Sequence, residues 1–193
     1  MNPLPYSPEM IIKPVRCLEF SSGYGTSSWE GIEFILADLL AQFNVGKGTA
    51  IEFGVEHGFS AVALSNFFAT VIGVDPFGQQ TATEPIEPME DRCRRNCEPY
   101  KNIILVTQPW QEFTKSAPAD SHYDLVHVDA EHGYYDTFGI GDWACAHSPF
   151  VIFHDTSSFP QTVMPAVKDL AEKHKRVFYN YDQFHGLGIL VNP

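Results

Sequence analysis

The amino-acid sequence predicts an α/β fold, a doubly wound and mostly parallel seven-stranded sheet with helices on both faces and one antiparallel strand near its edge. Short apolar runs such as IILV and FVIF carry no polar interruptions, as expected of strands buried on both faces. Segments of helical length separate these runs. The turn 182–186 between the last two strands is too short for a crossover, so these strands should pair antiparallel.

The predicted elements alternate along most of the chain. Strands are expected near 49–53, 71–75, 103–107, 123–129, 150–154, 176–181 and 187–191. Helices are expected near 59–69, 87–98, 109–115, 134–146 and 161–174. A further helix from about Trp29 to Phe43, which Ser27 or Ser28 can cap, precedes the first strand. Residues 1–27 are rich in Pro, Ser and Gly and are predicted to form an N-terminal arm, and residues 28–193 a single domain.

Composition restricts the class of partner. The formal net charge of −12 argues against broad contact with nucleic acid or anionic lipid and favours a small-molecule substrate. The first residues contain two prolines and no sustained apolar run, which indicates neither a signal peptide nor a membrane anchor, so a cytoplasmic protein is expected. The four cysteines are too few for a disulfide scaffold. Cys93 and Cys97, one helical turn apart, are interpreted as reduced thiols rather than zinc ligands.

The stretch from Thr49 to Asp75 predicts a strand, a glycine turn, a helix and a second strand. Gly54 and Gly58 at the first turn let a ligand approach the backbone closely. Asp75, at the end of the second strand, can accept hydrogen bonds from a ribose diol. This combination indicates a cofactor that contains a nucleoside. A dinucleotide fingerprint needs glycine where this chain has Glu52, which disfavours an NAD-dependent oxidoreductase.

Ionisable residues follow two later strands. The segment YDLVHVDAEHGYYDTFGIGDW places Asp129, Glu131 and His132 after one strand, and VIFHDTSS places His154 and Asp155 after the next. The carboxyl ends of parallel strands meet at one edge, where ligands collect. Carboxylates there can share Mg²⁺ or another divalent cation, although imidazole prefers softer metals. Alternatively, Asp155 caps the following helix and His154 forms a hydrogen bond at the sheet edge.

These three blocks resemble those of class I S-adenosylmethionine-dependent methyltransferases, in the small-molecule branch of macrocin O-methyltransferase and cephalosporin-hydroxylase-like proteins. The resemblance covers roughly residues 28–191. It implies a Rossmann-like fold and methyl transfer to a small molecule, with a hydroxyl acceptor favoured. It implies a metal site at Asp129, His154 and Asp155, and Glu131 or His132 as the base that takes the hydroxyl proton. The residues it assigns to S-adenosylmethionine are Glu52, Gly54, Gly58, Phe59, Ser60, Asp75, Gln108, Trp110 and Asp129.

Several alternatives stay open from the sequence. Gln108 could bind the adenine edge and Trp110 could stack on its ring, but Trp110 suits the core equally well. A protein with the same fold could instead methylate nitrogen, or bind the cofactor without catalysis. An NAD-dependent oxidoreductase is the remaining alternative. Small enzymes of this kind often use a second copy to close the site, so a homodimer is a candidate assembly.

Overall fold

A computed structural model describes residues 2–19, 27–78 and 88–193. In these ranges one sheet contains eight strands: β1 Leu4–Pro5, β2 Thr49–Phe53, β3 Thr70–Asp75, β4 Ile103–Thr107, β5 Leu125–Val128, β6 Phe150–His154, β7 Val177–Tyr181 and β8 Leu187–Val191. The helices are α1 Leu36–Gln42, α2 Phe59–Leu64, α3 Met89–Cys97, α4 Trp110–Ser116, α5 Tyr134–His147 and α6 Val163–Lys173. Part of the predicted arm (residues 1 and 20–26) and residue 87 of a predicted helix lie outside these ranges.

The strand order is β1-β7-β8-β6-β5-β2-β3-β4. Strands β2 to β6 pair in parallel, and β8 runs antiparallel to both of its neighbours, β6 and β7. The predicted doubly wound sheet and its single reversed strand are therefore confirmed. The chain proceeds from β2 outward to β4 and then returns to β5 on the other side of β2. This reversal opens a crevice at the carboxyl ends of β2 and β5, where ligands bind in sheets of this type.

The sheet has one strand more than the seven predicted. Leu4 and Pro5 pair in parallel with Tyr179 and Asn180 of β7, so the N-terminal arm extends the sheet at that edge. A two-residue strand carries too little pattern to be recognised in sequence, since its only determinant is the neighbour that it pairs with.

The predicted helix from Trp29 to Phe43 is wrong in its first half. Residues 28–31 form turns, a 3₁₀ turn covers Ile32–Phe34, and the α-helix begins only at Leu36. Gly31 has a φ of +107°, and a Cβ atom there would lie 2.1 Å from the ring of Phe184. Tertiary packing therefore interrupts the helical pattern. The Ser27 hydroxyl accepts a hydrogen bond from the backbone of Trp29 at 3.2 Å, within the turn rather than at a helix N-terminus.

Two apolar clusters fill the two faces of the sheet. One packs β2, β6 and β8 against α1, α2 and α3, and the other packs the central strands against α4, α5 and α6. Ile51 and Phe53 of β2 belong to the second cluster. Because side chains alternate along a strand, Glu52 points to the opposite face, towards α2. In the part of the chain described, no helix combines the length and apolar character needed to cross a membrane.

Asp38 of α1 fastens the N-terminal arm. Its buried carboxylate accepts hydrogen bonds from the Tyr6 hydroxyl and from the backbone N–H groups of Glu9 (3.0 Å) and Met10 (2.9 Å). We expect Asp38→Ala to lower the free energy of unfolding by about 3 kcal/mol, because the buried Tyr6 hydroxyl and two backbone N–H groups lose their acceptor. Urea denaturation measures this loss. Asp169→Ala, which removes an exposed carboxylate from α6, is the control, and equal effects of both variants would contradict the assignment.

Candidate active site

A glycine turn connects β2 to α2 and forms the floor of the crevice. Gly54 has a φ of +86°, and a Cβ atom there would lie only 2.0 Å from the backbone oxygen of Asp129. Gly58, with a φ of +85°, precedes α2 and packs against the thiol of Cys97. Both positions require glycine because the backbone is left-handed and tightly packed. The turn therefore lies directly against the end of β5.

Asp75 supports this turn from the end of β3. Its carboxylate accepts hydrogen bonds from the backbone N–H groups of Val55 (2.7 Å), Glu56 (3.0 Å) and Phe77 (2.7 Å). A carboxylate offers about four acceptor positions, so a ligand hydroxyl can still bind here. Asp75 thus joins the two loops that border the crevice, and it also lines the crevice itself.

The larger part of the crevice is a cleft of about 690 Å³. Such a volume is typical of small-molecule sites. Its walls include the glycine turn, Asp75, the ring of Phe77, and the residues that follow β5. Trp110, at the start of α4, also lines this cleft, and its indole nitrogen is buried with no hydrogen-bond partner among the described residues. Gln108 is not among the lining residues, which include Gln111 instead.

A smaller cleft of about 260 Å³ continues from the larger one. Phe59 and Ser60 of α2 lie on one wall, and residues 27–29 lie on another. Gly54, Asp129 and His132 border both clefts. An elongated ligand can therefore occupy both spaces and pass the ends of β2 and β5.

Four ionisable side chains meet where the clefts join. The His154 Nδ1 atom lies 3.2 Å from an oxygen of Asp129 and 3.3 Å from an oxygen of Asp155. The His132 Nε2 atom lies 2.9 Å from the same oxygen of Asp155. Nearest ligand atoms of Asp129, His154 and Asp155 all lie within 4.8 Å of one another, close enough for one metal ion. The strand ends thus bring together four of the five acids and histidines identified in the sequence, and Glu131 lies outside this cluster.

The hydrogen bonds indicate which atoms of this cluster carry protons. The His154 Nε2 atom lies 3.2 Å from the backbone oxygen of Phe184, and a carbonyl oxygen only accepts, so this nitrogen carries a proton. Burial lowers the pKa of His154, but its hydrogen bonds to Asp129 and Asp155 outweigh burial and raise the pKa to about 10. Hydrogen bonds to Asp129 and Asp155 raise the pKa of His132 to about 9. Burial raises the pKa values of both carboxyls, but the two histidines outweigh it and lower them.

Left-handed backbone conformations concentrate around the crevice. Among the described residues, seven non-glycine residues have a positive φ. Glu56, Phe77 and Asp155 line the clefts, and Phe184 and His185 lie in the turn between β7 and β8, where the backbone oxygen of Phe184 lies 3.2 Å from His154 Nε2. The other two, Asn44 and Lys175, follow α1 and α6. Such conformations cost energy and persist where the surroundings fix them, which is common at functional sites.

Glu52 does not line either cleft, in contrast to the role implied by the resemblance. It is fully buried beneath the glycine turn, where its Oε1 atom accepts hydrogen bonds from the Ser60 hydroxyl and from His127 Nδ1, the latter at 2.7 Å. The indole N–H of Trp29 donates to His127 Nε2 at 3.2 Å. The sequence analysis identified no partner for His127. The partner follows from the register between β2 and β5, which places His127 directly opposite Glu52.

The two candidates for the base lie in different surroundings. Glu131 is exposed at the edge of the larger cleft. His132 is partly buried, and its ring stacks on Phe159 with centroids 4.3 Å apart and planes within 4°. The orientation of His132 is therefore fixed by Phe159 on its face and by Asp155 at Nε2.

The chain is similar to known proteins in backbone structure but hardly at all in sequence. No protein-family model matches the chain, and no curated protein matches it at a significant level. A Klebsiella pneumoniae protein assigned as an O-methyltransferase superposes with a TM-score of 0.61 at 15% identity, over 89% of this chain and 83% of that one. The O-methyltransferase from Bacillus cereus, solved with S-adenosylhomocysteine, gives 0.58 at 13% identity, over 88% and 84%.

An enzyme with another acceptor atom is also similar. The N-methyltransferase NodS from Bradyrhizobium japonicum gives a TM-score of 0.54 at 12% identity, over 80% of this chain and 89% of that one. At such low identity the likeness concerns the arrangement of the backbone. The chain therefore has the Rossmann-like fold of the class I S-adenosylmethionine-dependent methyltransferases.

Proposed function

We propose that the chain is an S-adenosylmethionine-dependent methyltransferase that acts on a hydroxyl group of a small molecule. The observation that carries this proposal is the junction of the two clefts, where a glycine turn and an acid-bordered cleft meet the cluster of Asp129, His132, His154 and Asp155. The fold supports S-adenosylmethionine as the cofactor, and the ionisable cluster supports a hydroxyl group as the acceptor. A net charge of −12 and four free thiols support a small-molecule acceptor and a cytoplasmic location.

The lining of the clefts fits the proposed cofactor. Gly54 leaves the backbone accessible, and Asp75 has an acceptor position available for a ribose hydroxyl. The buried indole N–H of Trp110 lacks a partner among the described residues and can donate to an acceptor on the adenine. Phe59 and Ser60 of α2 would border the methionine part. When bound, the cofactor supplies an electrophilic methyl group on its sulfonium.

His132 is the better placed of the two candidate bases. Methyl transfer to oxygen requires that the acceptor hydroxyl lose its proton as the new bond forms. His132 borders both clefts, so it can reach a hydroxyl held at their junction. Asp155 orients the ring. Because the neighbouring acids raise the pKa of His132 to about 9, only its neutral form accepts the proton, so transfer should rise with pH up to about 9. Phe159 limits the ring to one plane, so that little orientational freedom is lost when the acceptor binds.

Asp129, His154 and Asp155 would hold a divalent cation. In proteins, a metal-bound histidine usually donates its other N–H to a carbonyl or a carboxylate. The His154 Nε2 atom already does so to the oxygen of Phe184, while Nδ1 faces the two acids. A cation held there favours loss of the acceptor proton. One nitrogen among the ligands favours a transition ion such as Mn²⁺ over Mg²⁺.

We expect the chain to bind Mn²⁺ more tightly than Mg²⁺ in the absence of any substrate. Asp155→Asn should weaken Mn²⁺ binding by more than about ten-fold, and His154→Asp should shift the preference towards Mg²⁺. Electron paramagnetic resonance of free Mn²⁺ and calorimetry measure both effects. Asp169→Asn, on the exposed face of α6, serves as the control. Equal Mn²⁺ affinity in Asp155→Asn and in the wild type would contradict the metal site.

Calorimetric titration with S-adenosylhomocysteine, S-adenosylmethionine and NAD tests the proposed function. We expect the first two to bind and NAD not to bind. Binding of NAD alone would support an oxidoreductase and refute the proposal. A panel of hydroxyl and amine acceptors with labelled S-adenosylmethionine then identifies the acceptor atom, and His132→Ala should reduce transfer far more than Glu131→Gln. Cofactor binding without any transfer would instead indicate a catalytically silent binding protein.

Nitrogen methylation is the second candidate because NodS shares the fold. A fold does not determine the reaction. A neutral amine is nucleophilic before it loses a proton, whereas a hydroxyl group must lose its proton as the new bond forms, so amines need less assistance from a base. The two acids and two histidines at the cleft junction therefore favour oxygen as the acceptor. The acceptor panel separates the two reactions.

A further inference from the structure

Four buried side chains are linked by hydrogen bonds beside and beneath the smaller cleft. They are separate from the ionisable cluster of Asp129, His132, His154 and Asp155. In order, the four are Trp29, His127, Glu52 and Ser60. Glu52 and His127 have no exposed surface, and Trp29 and Ser60 are at most 5% exposed. These hydrogen bonds connect strands β2 and β5, the first turn of α2 and the segment that precedes the 3₁₀ turn.

The direction of each hydrogen bond follows from the groups involved. An indole N–H can only donate, so Nε2 of His127 accepts from Trp29. His127 is therefore neutral, with its proton on Nδ1, and donates to the Oε1 atom of Glu52. Ser60 donates to the same oxygen. A neutral histidine can serve both bonds because one ring nitrogen accepts while the other donates.

The two end residues of this hydrogen-bonded series, Trp29 and Ser60, lie in the walls of the smaller cleft, whereas His127 and Glu52 lie below its floor. Trp29 and Ser60 both border this cleft, and they belong to different elements. Glu52 is two residues before Gly54, which forms the floor at the junction of the two clefts. His127 is two residues before Asp129, which belongs to the ionisable cluster. Movement of the central pair would therefore change both walls and the floor.

Stabilisation of the core is a weak explanation for this arrangement. The Oε2 atom of Glu52 is buried and has no hydrogen-bond partner among the described residues. A buried carboxylate oxygen without a partner costs free energy, and an apolar pair at these two positions would avoid that cost. The register sets Glu52 directly opposite His127, so the pair specifies how the two strands align at the crevice.

We propose that His127 is a positioning residue for the cofactor cleft, which acts through Glu52 and Trp29 to set the positions of the two walls that would enclose the methionine part of S-adenosylmethionine. This inference rests on the proposed function, since it presumes that S-adenosylmethionine occupies the clefts. His127 does not touch the ligand. Its effect is on cofactor affinity, and the chemical step at His132 proceeds unchanged.

The test compares His127→Leu with His147→Leu. His147 also packs on a tryptophan ring and also bonds through Nδ1, but it lies at the end of α5, on the opposite edge of the sheet. We expect His127→Leu to weaken S-adenosylhomocysteine binding by about ten-fold or more, and His147→Leu by less than about two-fold. His127→Gln, whose amide both donates and accepts, should recover part of the affinity.

Two further measurements separate positioning from folding. Trp29→Phe preserves the aromatic packing and removes only the indole N–H, so it should fold normally and still weaken S-adenosylhomocysteine binding several-fold. This variant keeps the test valid if His127→Leu does not fold. All affinities are compared at a temperature where circular dichroism shows each variant folded.

The outcomes distinguish this inference from the proposed function. If the wild type does not bind S-adenosylhomocysteine, the proposed function fails, and the inference fails with it. If the wild type binds but folded His127→Leu binds equally tightly, or Trp29→Phe does so where His127→Leu does not fold, the positioning role alone is refuted. Equal weakening by His147→Leu would also refute it, because the effect would then reflect general destabilisation.

Discussion

Replacing Asp75 with alanine should abolish measurable binding of S-adenosylhomocysteine. The carboxylate holds three backbone N–H groups of the loops that border the cleft, and it is the proposed acceptor for the ribose. Hydrogen bonds to a charged group contribute about 1.5–3 kcal/mol each, so loss of the ribose contact together with the supported loops should weaken binding by more than about 100-fold. Calorimetric titration of the wild type and the variant measures the difference.

Asp124→Ala is the matched control for this prediction. Asp124 likewise accepts a backbone hydrogen bond at a strand end, from the N–H of Thr49 at 2.8 Å, but it lies at the amino end of β2, away from the clefts. Both variants should lower the free energy of unfolding, by about 1–3 kcal/mol. Only Asp75→Ala should lose cofactor affinity. Unchanged affinity in Asp75→Ala would remove this residue from the site and with it the main support for a nucleoside ligand.

Replacing Gly54 with alanine should strongly disrupt the turn between β2 and α2. The new Cβ atom would lie 2.0 Å from the backbone oxygen of Asp129, and the φ of +86° disfavours any side chain. The ends of β2 and β5 must then separate, which displaces Asp129 from His154. We expect the free energy of unfolding to fall by at least about 2 kcal/mol, and both cofactor and metal binding to be lost.

Urea denaturation and the two binding measurements check this result. Gly78→Ala is the control for stability, since its Cβ atom would meet no atom closer than 3.9 Å and its φ is not in the left-handed region. A stable Gly54→Ala variant that still binds S-adenosylhomocysteine would show that the turn is not the floor of the cofactor site.

The sequence was sufficient for those features that depend on local pattern and strand order. Alternating apolar segments predicted the parallel sheet, and the short final turn predicted the antiparallel pair of β7 and β8. Residues at the carboxyl ends of adjacent parallel strands must lie close together. Asp129, His132, His154 and Asp155 could therefore be grouped without knowledge of any coordinate.

Features that depend on tertiary contacts could not be predicted in this way. The break at Gly31 follows from its contact with Phe184, which is distant in sequence. The burial of Glu52 follows from the alternation along β2, and its pairing with His127 needs the register between β2 and β5. For Gly31 and Glu52 the missing information is a contact between distant segments. Gln108 precedes α4 and does not line the larger cleft, whereas Gln111 of α4 does.

A crystal structure of the protein with S-adenosylhomocysteine tests the central claim most directly. We expect the adenosine part in the larger cleft, with the ribose bonded to Asp75 and the adenine at Trp110, and the homocysteine part between Ser60 and Trp29. The sulfur should face the junction at His132 and Asp129. A ligand bound elsewhere, or one whose ribose does not contact Asp75, would contradict the assignment of the cleft and the function proposed for it.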